Sequence, residues 1–367
     1  MTEKISTWQA GTLLGSTIIS TAILFPPILV AQEAGRDAWL SFILATVSGA
    51  LIVLLAVALS SRYPTQNLLG VAESILGRFF GKLLGLAYLF YFICFTAFTA
   101  REFAAFMATS FMPHTPILVF SISIILLSTY AVYLGLEVIG RVSEFVFVPI
   151  ILFLWLLTIL IINKIEFTAL LPLLEMGPGP VGRGSFIFAG WIGEIFLISM
   201  LYPHLVRPRK ALQVGLLTLV IVGLTFAVGA VFLEGIFGFQ LLSRLTFPIL
   251  NYVRLISLGG FLERIEALVI LIWIAGVYVK ISFMNYLSAV SLRQIFGLTE
   301  YRSLLLPLAA LIAVLSFFLF ENILELIRFL KVYWPVFNTL LAAGVPLFLY
   351  LLSLLKAAFK TGLKSGG

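Results

Sequence analysis

Long apolar stretches alternate along this chain with short clusters of charge, glycine and proline, and the stretches are too long for soluble core helices. A helix rises 1.5 Å per residue and the bilayer hydrocarbon is about 30 Å thick, so about 20 apolar residues make one crossing. The pattern predicts ten crossings, at 8–31, 38–60, 82–107, 116–136, 143–163, 185–205, 211–234, 264–290, 303–320 and 335–355. The loop from Phe237 to Glu263 is the longest. It carries Pro248, Gly259-Gly260 and the apolar run Phe247 to Leu258, which predicts a short helical cap. The segment from Lys164 to Gly184, with Gly177-Pro178-Gly179-Pro180, divides the crossings into two sets of five, 8–163 and 185–355. Each set opens on an interrupted span. The first runs Gly15 through Ser20-Thr21-Ala22 to Pro26-Pro27; the sixth carries Gly190, Gly193 and Glu194. Proline removes a backbone donor and clashes with the preceding turn, so Ser20–Ala22 and Gly190–Gly193 are the expected unwound segments. Matching breaks in two halves point to an inverted repeat with a ligand site near the membrane midplane. Taken singly, either break is also what ordinary helix packing in membranes produces. Their corresponding positions favour the functional account.

Composition narrows the class. Of 367 residues, 62% are hydrophobic and 11% charged, with a mean hydropathy of +1.16. Soluble domains are near half apolar and a quarter charged, so the fold class is all-α integral membrane, with no sizeable soluble domain. The net charge of +7 is scattered among span ends. That is the form of an orientation signal, and it gives no nucleic-acid stripe. Lys and Arg are commoner in the loops on the side of the two termini, which puts both termini in the cytoplasm. The single cysteine, Cys94, lies in an apolar run and implies neither a disulfide framework nor a metal site. No phosphate loop, dinucleotide fingerprint or nucleophile elbow is present, so neither enzymatic activity nor a cofactor is expected.

Charge inside the spans carries the chemistry. Glu194 and Lys280 lie deep in the sixth and eighth spans, where an ionised side chain costs about 2.5–3.5 kcal/mol on insertion scales unless it faces protein or water. Glu194 is a candidate acceptor for a ligand ammonium or a proton, Lys280 a candidate cation surrogate or proton carrier. The plainer account of both is a fixed salt bridge, Lys280 to Glu194 or to Glu266. Backbone groups freed at Ser20, Thr21 and Ala22 are candidate ligand contacts. Tyr91 is a candidate cover, although interface or core packing is the commoner reason for such a ring. Arg101 and Glu102 read as a local pair at the membrane surface, and His114 and His204 as solvated loop residues.

Several short motifs resemble one family. Ile5-Ser6-Thr7-Trp8-Gln9, Ala22-Ile23-Leu24-Phe25-Pro26 followed by Ala34-Gly35-Arg36-Asp37-Ala38-Trp39, Gly193-Glu194, and Leu262-Glu263-Arg264-Ile265-Glu266-Ala267 leading to Ile272-Trp273 and Val279-Lys280-Ile281-Ser282 resemble endospore germination permeases. These are the B-type subunits of germinant receptors, within the amino acid–polyamine–organocation superfamily, and the resemblance spans the chain. It implies a five-plus-five inverted repeat like the leucine transporter, with the first and sixth helices broken. It also implies residence in the spore inner membrane, assembly with A-type and C-type receptor subunits, and recognition of a small germinant, usually an amino acid. The first break reads Ile19-Ser20-Thr21-Ala22 where transporters of the superfamily tend to carry Gly-Ser-Gly. The expected function is therefore germinant binding and signalling, with proton-coupled amino-acid transport as the alternative.

Overall fold

A computed structural model describes residues 3–255 and 265–364. The described chain is helical nearly throughout. The first span is α1 (Thr7–Ala22) followed by α2 (Pro26–Ala34); α3 (Ala38–Arg62) returns, and a short helix, α4 (Leu68–Leu76), lies between crossings. Next come α5 (Arg78–Ser110), α6 (Ile117–Leu134) and α7 (Leu136–Leu160). The second half opens with α8 (Pro178–Ile192), a 3₁₀ stretch at Gly193–Leu197 and α9 (Ile198–Leu201). It continues through α10 (Ala211–Leu242), α11 (Pro248–Arg254), α12 (Ile265–Phe296) and α13 (Leu305–Phe318). The last span is α14 (Ile323–Arg328), α15 (Trp334–Thr339) and α16 (Val345–Lys364), joined by π turns at Phe329–Tyr333 and Leu340–Gly344.

Eight helical stretches among the described residues are long and apolar enough to cross a membrane; α1 and the shorter apolar stretch Arg302–Phe318 make ten crossings, five on each side of the 161–177 connection. Large apolar side chains such as Leu51, Phe79, Phe145 and Leu306 face outward. In water such exposure would be prohibitive; in lipid it costs nothing, and the outward apolar surface identifies an integral membrane protein. The predicted cap exists as α11, and Gly259-Gly260 lie outside the described residues. The sequence pattern did not anticipate α4, which Asn67 caps by accepting from the Gly70 amide.

The interior is packed around α1, which contacts α7, α10 and α12, while α8 packs on α2, α3 and α15. At the end carrying the N-terminus, Ile5 pairs with the chain after α9 through Ile5 N–H to His204 O (2.9 Å) and Val206 N–H to Ile5 O (3.0 Å). At the opposite end, Glu33 of α2 binds Lys331 (2.8 Å) and Arg183 (3.1 Å). At both ends, the first span and the residues leading into it are thus tied to later elements. His204 belongs to the first of these ties, with Nδ1 3.0 Å from the Glu3 carbonyl, and is not the freely solvated loop residue its position suggested.

Candidate ligand-binding site

The break in the first span follows from two adjacent prolines. Pro26 and Pro27 have no N–H for the carbonyls of Ala22 and Ile23, yet both fit the first turn of α2, where those donors would go unused. Helical hydrogen bonding therefore lapses over residues 23–25, three residues later than expected, and Ser20, Thr21 and Ala22 form the last turn of α1. Leu24 N–H turns back to Thr21 O (3.1 Å), which deprives Ser20 O of its helical donor. The Trp273 indole of α12 supplies the replacement at 2.7 Å. A buried carbonyl without a donor costs about 1–3 kcal/mol, so this contact explains why an indole stands there.

The sixth span yields less. Its interruption also falls three residues late: Gly190 is in the last turn of α8, and Gly193 begins a tightened 3₁₀ stretch whose backbone stays right-handed. Both glycines make room for a neighbour. A Cβ on Gly190 would lie 2.8 Å from Trp334 Cδ1, and one on Gly193 would lie 2.8 Å from Asn338 Nδ2. Asn338 sits on α15 between the two π turns, and its Nδ2 donates to Gly190 O (2.9 Å) while its Oδ1 accepts from the Tyr91 hydroxyl (2.7 Å). Tyr91 is thus a buried strut, stacked on Trp334 with centroids 5.8 Å apart. Asn338 escaped sequence reasoning because the predicted span 335–355 put it at a crossing's end, whereas the last helical stretch begins at Ile323 and carries it near the middle.

Between the two interruptions lies an ion pair. Lys280, at the middle of α12, donates to both Glu194 oxygens (2.9 and 3.1 Å) and to Thr21 Oγ1 (2.6 Å); both charged side chains have no exposed surface. Trp191 Nε1 reaches the same Thr21 oxygen at 3.2 Å, and the Phe95 ring lies 4.7 Å from the ammonium. All three donor sites of the ammonium are therefore satisfied, the condition under which a buried pair is tolerated in low dielectric. The structure unites Ser20, Thr21, Glu194 and Lys280 around the first break, and Tyr91, Gly190 and Gly193 around Asn338 next to it. Lys280 fills the space where the two breaks led us to expect an amino-acid-sized cavity. A cavity of about 40 Å³ lies beside Ser20, Leu24, Phe106 and Trp273, and its lining is almost wholly apolar.

One expected contact is absent. Arg101 and Glu102 are both buried and do not pair with each other: Arg101 donates to Phe320 O (2.9 Å), and neither Glu102 oxygen has a hydrogen-bond partner. A surface pair was expected because they sit near a span end; the length of α5 carries that turn inside the bundle instead.

Known proteins resemble the chain along its length. The family model described as spore germination protein matches residues 4–323. Spore germination protein KB of Bacillus subtilis is 27% identical over 311 residues, covering 84% of this chain and 83% of its own. The putative spore germination protein YfkT of the same organism is 26% identical over 97% of this chain and 98% of its own. Among solved structures, MhsT in complex with L-phenylalanine superposes with a TM-score of 0.68 at 12% identity, covering 96% of this chain and 99% of that one. The closed, bromovinylhydantoin-bound transporter Mhp1 gives 0.58 at 16% identity over 90% and 75%. At those identities the likeness is one of fold alone.

Proposed function

Because the chain belongs to the spore germination protein family, we propose that it is the germinant-sensing subunit of a receptor in the spore inner membrane, with both termini in the cytoplasm. On this reading 8–163 and 185–355 are its two inverted repeats, and A-type and C-type subunits are its partners. The germinant is a small molecule, an amino acid by preference, received at the first helix break. The observation that carries this reading is the Glu194–Lys280–Thr21 cluster at that break. A carboxylate facing a hydroxyl is what an amino acid's ammonium requires, and an internal ammonium now holds the place. Binding then exchanges one ammonium for another and biases the bundle between its closed form and an open one. The shift is bounded by the ligand's differential affinity for the two.

Spores carrying Glu194→Gln test this. Loss of a charged hydrogen bond, about 1.5–3 kcal/mol, predicts at least a tenfold loss of germinant sensitivity at unchanged protein abundance. An unchanged dose response would remove Glu194 from the site. Proton-coupled amino-acid transport is separated by counterflow in vesicles: a pure sensor exchanges no labelled amino acid.

A further inference from the structure

Ligand entry at Glu194 leaves a question that the fold itself answers: where the Lys280 ammonium goes when it is displaced. An ammonium left buried without a counter-ion costs several kcal/mol, so a second acceptor is required inside the bundle. One face of α5 provides it. Phe95, Thr99, Glu102 and Phe106 follow one another at helical spacing, and Phe95 is the ring that lies 4.7 Å from the ammonium. One turn on, the Thr99 hydroxyl is fully buried and has no hydrogen-bond partner. A further turn on, Glu102 is 1% exposed and both its oxygens are unpartnered. Buried polar groups are nearly always satisfied, so two adjacent orphans on one face call for an explanation. α12 packs on α5 along this stretch, with the Trp273 ring 4.5 Å from that of Phe106. Arg101, the adjacent cation, is turned away to the Phe320 and Glu321 carbonyls and leaves the carboxylate unclaimed.

We propose that Thr99 and Glu102 are a second station for the Lys280 ammonium. In the closed form the ammonium rests on Glu194 and Thr21; when Glu194 is taken by a ligand, it moves along α5 to Glu102, passing the Thr99 hydroxyl. Glu102 is thereby a positioning residue that keeps Lys280 paired through the exchange, and α5 and α12 carry the signal that the site is filled. The idea rests on Glu194 being the ligand's carboxylate, but its test needs no ligand and so fails separately from that reading.

Glu194→Gln mimics the displaced state in the purified full-length protein. The structure of this variant is expected to show the Lys280 ammonium within 4 Å of Glu102; an ammonium still held by Thr21 and the substituted amide would overturn the proposal. Thermal unfolding of a variant series gives the second measurement. Glu102→Gln should not lower Tm, since the ammonium rests on Glu194 in the closed form, and Glu194→Gln should lower it only slightly, since Glu102 then serves. The double variant should lose more than the sum of the two, and adding Lys280→Met to it should recover most of that loss. Additive losses without recovery would overturn the proposal. So would a Glu194→Gln protein that fails to fold while Glu102→Gln folds, because a working second station keeps the ammonium paired.

Discussion

The first and sixth spans are interrupted at corresponding places, yet by different means and with different consequences. Two prolines end hydrogen bonding in the first span outright, and its freed groups are satisfied from another helix: Trp273 on Ser20 O, Lys280 on Thr21 Oγ1. In the sixth span no proline intervenes before Pro203, so the backbone tightens into a 3₁₀ turn and keeps its own bonds. There Gly190 O takes a side-chain donor, from Asn338. The hard break borrows polar side chains, and the charge beside it is shared, with Lys280 reaching both Thr21 and Glu194 of the sixth span's 3₁₀ stretch. A soft break offers shape: the two glycines admit the neighbouring helix.

The largest test of this contrast is Lys280→Met. It leaves Glu194 buried without its cation and is expected to cost about 3–5 kcal/mol by thermal unfolding, with partial recovery on adding Glu194→Gln. A wild-type transition would show that the charged side of the comparison has no structural weight. The soft break is probed by bulk. Gly190→Ala and Gly193→Ala should each cost about 1–3 kcal/mol through overpacking against Trp334 and Asn338. Gly182, on the same helix with nothing within 4 Å of a built Cβ, should accept alanine without loss.

These magnitudes follow from positions that were only partly legible in the amino-acid sequence. Crossings such as 211–234 could be read because about twenty apolar residues have one solution in a bilayer. Pro26-Pro27 announced the first break, but its position was read three residues early, because prolines that suit the first turn of α2 confine the unwinding to the residues just before them. Gly193-Glu194 marked the sixth span without revealing that it tightens rather than unwinds, since glycine permits either. Glu194 and Lys280 stood out by cost alone, and their pairing, left open among alternatives, is settled by three-dimensional proximity. Asn338 and the orphaned Glu102 were missed or misplaced because their helices run past the apolar stretches that define the crossings, so depth is not written in residue spacing.

Smaller effects sharpen the comparison. Trp273→Phe keeps an aromatic side chain but removes the indole N–H that donates to Ser20 O, so about 1–2 kcal/mol of stability should be lost, more than for any hydroxyl removed near the sixth span. Tyr91→Phe removes the donor to Asn338 and should cost about 1 kcal/mol. If the two losses were reversed in size, the first break would not be the more dependent on borrowed partners.

The central claim, that an amino acid enters at the first break through Glu194, is tested most directly by thermal shift. Purified wild-type and Glu194→Gln proteins are titrated with each of the common L-amino acids, since a ligand that binds only the folded state raises its stability. The account predicts that at least one raises the wild-type Tm in a saturable way and leaves the variant unmoved. Equal shifts in both proteins, or no shift of the wild type with any of them, would contradict it.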